Sequence, residues 1–165
     1  MRVVSTRVVY ENPWMRVHED RLDGGRLYGW IEKTPSALIV PIQDGQVWLV
    51  EQFRYPVGRR YWEFPQGAGD FTDPEALAHA ELAEETGLRA GTLEHLGRLH
   101  FAYGLSNQAV DVFRATDLTQ GEQALEATEE DLVVGRFSIA EVERMIRANE
   151  IRDAASVAAW HLARA

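Results

Sequence analysis

The sequence predicts an α/β domain in which a mixed β-sheet lies between helices, with a small antiparallel β region ahead of it. Three observations carry this. The first half reads almost wholly as short alternating strands, one capped helix interrupts them near the middle, and two further helix starts follow the last strand signals. At 165 residues the chain is one domain's worth, 1–165, long enough to bury a substantial core.

Residues 2–10 and 14–22 alternate in the strand period, and Asp23-Gly24-Gly25 supplies turn chemistry before a third strand through Leu27-Tyr28-Gly29-Trp30-Ile31. Strands at 37–41 and 47–52 flank Gln43-Asp44-Gly45-Gln46, a hairpin signal. Tyr61-Trp62-Glu63-Phe64 reads as a short aromatic strand running into a glycine loop, Gln66-Gly67-Ala68-Gly69-Asp70. Asp73 followed by Pro74 starts a helix and Gly87 ends it, which bounds that helix at 74–86 with Leu77, Ala78 and Leu82 facing the core. Strands are expected over 94–103, 108–115 and 131–137. Ser138 with Glu141 three residues on is a capping box, and a last helix follows Asp153.

Charge and composition narrow the function. A net charge of −9 lacks the basic footprint that nucleic acid or an anionic membrane requires. With no cysteine there is no disulfide framework, thiolate zinc site or cysteine nucleophile. No apolar run approaches the ~18 residues of a membrane span and the N-terminus lacks a long apolar stretch, so the cytoplasm is the expected location.

Helical offsets of three and four residues gather Glu81, Glu84 and Glu85 on one face, where like charges cost roughly 0.2–0.5 kcal/mol per pair unless a cation offsets them. No Lys or Arg lies between Arg60 and Arg89. Hard oxygen donors with open positions suit Mg²⁺ or Mn²⁺, whose remaining positions go to water and phosphate oxygens. Standing alone, the triplet reads by default as a solvated acidic face.

Context goes further. The stretch Gly67 to Leu88 resembles the Nudix box, a loop-helix motif of enzymes that hydrolyse nucleoside diphosphates linked to another group. Val50-Glu51-Gln52-Phe53-Arg54-Tyr55-Pro56, Trp62-Glu63-Phe64-Pro65 and Asn149-Glu150-Ile151-Arg152-Asp153-Ala154 are similar to segments of the ADP-ribose pyrophosphatase branch. The resemblance implies the α/β/α Nudix sandwich, with a metal bound by Glu81 and Glu85, by Glu84 as a third ligand, and by a carbonyl of Gln66 or Gly67. It also implies a homodimer formed through the N-terminal β region, residues 1–35. ADP-ribose or a nucleotide sugar is the favoured small-molecule substrate, with dinucleoside polyphosphates as another enzymatic choice.

Two departures stand out. The box is one residue shorter than the pattern between Gly67 and Glu81, which places the deletion in the loop at 69–72 and leaves Thr72 or Asp73 nearest the usual loop-end Glu. The Arg that normally precedes the first box Glu is Ala80. Losing a residue that orients a ligand typically costs ~10–100-fold in metal affinity or activity, so a nucleotide-sensing module without efficient turnover is the alternative reading.

The chemistry asks for neutralised phosphate oxygens, an in-line water and a base. Glu84 is a catalytic candidate from the box. For the base the resemblance points to the acidic run 126–131, and within it to Glu129 or Glu130; the run also reads as a solvated charge cluster. Arg54 is the phosphate-binding candidate, since guanidinium presents a planar fork to phosphate. Arg59 and Arg60 either extend that grip or are exposed loop charges, and Glu51 either pairs with an Arg or meets substrate. Trp62, Phe101 and Tyr103 stack on a base or simply fill the core.

Overall fold

The computed structural model describes residues 2–69, 72–125 and 131–164. Three strands, β1 (Val3–Asn12), β2 (Met15–Leu22) and β3 (Leu27–Glu32), form a separate antiparallel sheet in the order β1-β2-β3. Asn12 closes the first turn, its side-chain oxygen accepting from the backbone of Trp14 and Met15. His18 stacks on Trp30 at 4.2 Å, and the Trp30 indole donates to Asp20. Apart from Asn12, every residue of β1 is exposed, so Val3, Val4, Val8, Val9 and Tyr10 present apolar surface on both faces.

The second sheet is mixed. It comprises β4 (Ser36–Gln43), β5 (Gln46–Arg54), β6 (Arg59–Glu63), β7 (Gln66–Ala68), β8 (Leu88–His100), β9 (Ala109–Gln120) and β10 (Val133–Ser138), with the central path β10-β5-β4-β9-β8. β6 adds to β5 and β7 to β4. The β4–β9 pair is parallel and the other pairs are antiparallel.

Helices cover both faces. On one side Ala37, Ile39, Phe113 and Ala115 meet Leu77, Ala78 and Leu82 of α1 (Pro74–Thr86). On the other, Leu38, Val40, Val110 and Val112 meet α2 (Ile139–Arg147) and α3 (Ala154–Ala163), with Val142, Met145 and Trp160 at the centre. β4 is buried on both faces because its alternate residues feed the two cores, as its unbroken apolar run Ala37-Leu38-Ile39-Val40-Pro41 requires.

The expected sandwich with an antiparallel β region ahead of it is therefore the observed fold. Helix α1 spans the expected residues, with the Asp73 side chain accepting from the Glu75 amide and Gly87 in the left-handed region at φ 71°. The Ser138–Glu141 capping box is present. Several boundaries differ, β9 among them, which runs to Gln120 rather than 115. β8 begins at Leu88 rather than 94, and Gln66–Ala68, expected as loop, is a strand because it pairs with Ser36–Leu38.

Candidate active site

The stretch from Glu63 to Gly67 is fixed group by group. Phe64 donates its amide to Ser156 Oγ at 3.0 Å, and the Pro65 carbonyl accepts from the Ile39 amide at 2.9 Å. The Gln66 amide donates to Glu85 Oε2 at 3.0 Å. The Gln66 side chain donates to Asp153 Oδ2 at 3.2 Å, and that same oxygen caps α3 by accepting from the amide and hydroxyl of Ser156, both at 2.7 Å. The box entrance is thus held by the sheet, by α1 and by the start of α3 at once.

Helix α1 brings two of its acids to this segment. Glu85 is 1% exposed and meets the Gln66 amide, while one turn earlier the Glu81 carboxylate lies against Gly67 in the space that a Cβ there would fill. Glu84, half-buried, uses its carbonyl to accept from the Ala124 amide. Among the described residues no three His, Cys, Asp or Glu side chains converge into a ready cage for a metal ion. The all-oxygen donors beside Gln66 and Gly67 nevertheless fit a hard cation that takes one or two carboxylates and leaves its other positions to water and phosphate.

Next to this edge opens a cleft of about 710 Å³, which Gln66, Gly67, Glu63, Arg54, Tyr61 and Arg152 help to line. That volume is typical of small-molecule sites. Arg54 grips Glu63 with both arms of its fork, Nη2 to Oε1 at 2.5 Å and Nε to Oε2 at 3.3 Å. Burial pushes the Glu63 carboxyl above the ordinary carboxylate range; Arg54 opposes that shift and the negative Asp153 adds to it.

The other candidate residues are dispersed. Arg60 is held by Glu51 and Asp131: it donates from Nε to Glu51 Oε2 at 3.0 Å, from Nη2 to the Glu51 and Asp131 carbonyls, and from Nη1 to the Asp131 carboxylate. Arg60 therefore braces β5 and β6 to Asp131, two residues before β10, and Glu51 is the partner of an Arg. Arg59 is exposed and sits across the hairpin from Arg54. Phe101 lines the cleft, Tyr103 stands exposed, and Trp62 packs edge-on against Phe137. Glu129 and Glu130 lie outside the described residues.

Sequence reasoning did not single out Lys33, Arg152 and Asp153, which also line the cleft. Asp153 carried a signal, its helix-cap position. Nothing in the local pattern at Lys33 or Arg152 marks either as facing a cleft.

Comparison with known proteins gives the family. The NUDIX domain matches residues 32–160, and the nucleoside diphosphate sugar hydrolase N-terminal domain matches residues 1–22. An ADP-ribose pyrophosphatase of Mycobacterium tuberculosis is 34% identical over 150 residues, covering 87% of this chain and 72% of that protein. Another from Bacillus subtilis is 31% identical over 128 residues, covering 75% of this chain and 69% of that one. In fold, the chain superimposes on the crystal structure of an ADP compounds hydrolase with a TM-score of 0.85 at 23% identity, covering 99% of this chain and 91% of the other.

Proposed function

The chain belongs to the Nudix family and is a pyrophosphohydrolase of nucleoside diphosphate derivatives, and from that premise we propose ADP-ribose, or a nucleotide sugar close to it, as the substrate. The observation that carries this reading is the joining of the acidic helix to the cleft: Glu85 and Glu81 abut Gln66 and Gly67, and those two residues form the cleft's edge. For ADP-ribose the products are AMP and ribose 5-phosphate.

Glu81 and Glu85, with Glu84 and the Gln66 carbonyl, would hold the divalent cation, Mg²⁺ or Mn²⁺. When bound, that cation neutralises diphosphate oxygens and makes a water more acidic. The protein supplies position. Gln66, pinned through both its amide and its side chain, keeps the edge rigid, so the diphosphate is oriented against fixed groups. Arg54, steadied by Glu63, directs its remaining N–H groups to phosphate. Glu129 or Glu130 takes the proton of the attacking water.

The protein works in the cytoplasm as a homodimer. No helix among the described residues is long and apolar enough to cross a membrane, and the doubly exposed β1 is the surface a second copy covers.

The test is turnover of a panel of ADP-ribose, nucleotide sugars, dinucleotides and dinucleoside polyphosphates with Mg²⁺ or Mn²⁺, against Glu85→Gln. Release of AMP that requires metal and disappears in the variant supports the assignment. Nucleotide binding without turnover of any member would overturn it in favour of a sensing role, which Ala80 and the short loop motivate.

A further inference from the structure

We infer that Arg152, stacked on Tyr61, is the platform on which the purine base of the substrate lies face to face, an assignment that rests on the reading of the cleft as a nucleotide site. The two residues sit far apart in the chain and are brought together by the parallel bridge between their neighbours, Trp62 and Ile151. The Arg152 guanidinium carbon lies 5.1 Å from the centre of the Tyr61 ring, and both residues line the cleft.

The hydrogen bonds of Arg152 fix its position in the cleft. Nε donates to the Asn149 carbonyl at 2.8 Å and Nη1 to the Tyr61 hydroxyl at 3.3 Å. A guanidinium offers two edges with paired donors, Nε with one terminal nitrogen and the two terminal nitrogens together. Nε and one hydrogen of Nη1 are thereby committed, which anchors the group beside Tyr61 and leaves three N–H donors on the terminal nitrogens. The group also offers a planar face: its carbon lies over the Tyr61 ring and the residue is exposed. Guanidinium planes and aromatic rings are the surfaces on which nucleobases stack.

Arg54 supplies the contrast within the same cleft. Its fork is opposed by the buried Glu63 carboxylate, whereas among the described residues no carboxylate pairs with Arg152. Arg152 is therefore held over the electron-rich Tyr61 ring with no carboxylate among the described residues competing for it. Pro56 and Val57 line the cleft as well and give the base an apolar flank. A nucleotide laid along the cleft has its base at Arg152 and Tyr61 and its diphosphate at Gln66 and Gly67.

The experiment combines KM and kcat for ADP-ribose with metal-free calorimetric binding of AMP and of ribose 5-phosphate, for Arg152→Ala, Arg152→Lys, Tyr61→Ala and Tyr61→Phe. The expected pattern is a rise of about tenfold in KM and a matching loss of AMP affinity for the two alanine variants, the size of one lost base stack. kcat falls by less than KM rises, ribose 5-phosphate binding is not weakened, Lys fails to restore what Ala removes, and Phe restores most of it. Rescue by Lys, or equal weakening of both ligands, would overturn the platform in favour of a phosphate contact. AMP affinity unaltered in all four variants, or no AMP binding and no turnover in the wild type, also overturns it. Should the wild type hydrolyse nothing yet show the expected AMP pattern, the hydrolase assignment fails and the platform stands. Lys keeps the charge and much of the stem of Arg152, and Phe keeps the ring of Tyr61, so the comparison survives if an alanine variant does not fold.

Discussion

The Glu81 carboxylate occupies the space beside Gly67, so close that a Cβ at residue 67 would collide with its carboxyl carbon and both oxygens. The backbone at Gly67 is not left-handed, so the position demands room rather than unusual torsions. Gly67→Ala is expected to push the carboxylate away and cut kcat/KM by ~10–100-fold, the usual size of a misplaced metal ligand. Steady-state kinetics across a Mn²⁺ titration check this, with the loss partly recovered at high metal. Unaltered kinetics would mean that Glu81 can move without consequence.

Arg54 and Arg60 leave adjacent strands of one hairpin but do different work. Arg54→Ala removes a charged hydrogen bond from the cleft and is expected to raise KM by ~10–100-fold. Arg60→Ala unties Asp131 from β6 and is expected to lower the melting temperature more than it raises KM. Kinetics and thermal unfolding on the two variants side by side separate the roles, and an exchanged pattern would reverse the assignment.

Stability should respond to acid through the start of α2. The Ser138 hydroxyl and then the Ser138 amide hold the Glu141 carboxyl below its ordinary value of 4.5. A carboxyl depressed on folding stabilises above its unfolded value, and that contribution is lost as pH falls through the folded one. Glu141→Ala is therefore expected to be less stable than wild type at neutral pH, with the gap closing below about 4.5. Denaturant midpoints measured from pH 3 to 8 test this; a gap that is constant with pH would assign the effect to helix propensity alone.

The N-terminal sheet leads to a prediction about assembly. β1 is a ten-residue edge strand with apolar side chains exposed on both faces, a surface that invites pairing. Sedimentation of the wild type is expected at twice 18.7 kDa, and Val4→Glu with Val8→Glu is expected to shift it toward 18.7 kDa. A wild type that sediments at the single-chain mass defeats the dimer.

Features set by local chemistry were legible in the sequence. Helix α1 was bounded correctly because Asp73 and Gly87 cap it within one turn of chain, and the hairpin at Asp44-Gly45 adopts the positive torsions its residues favour, φ 51° and 74°. β7 was not legible, since Gln66-Gly67-Ala68 becomes a strand only by pairing with β4. The start of β8 was hidden by Gly91, which lies so near Asp117 that a Cβ would not fit. In the site, periodicity sufficed to join Glu81 and Glu85. The engagement of Arg60 by Asp131, 71 positions away, and the seating of Arg152 on Tyr61, 91 positions away, are tertiary facts that no local window contains.

Ser156 accepts from the Phe64 amide, and Asp153 holds the side chain of Gln66, so residues made well after the acidic helix hold the mouth of the cleft beside it. The chain emerges from the ribosome with Glu81, Glu85, Gln66 and Gly67 already present. The clasp on Phe64 and Gln66 closes only when the start of α3 docks, and a nascent chain that has released its first 150 residues or so still lacks it.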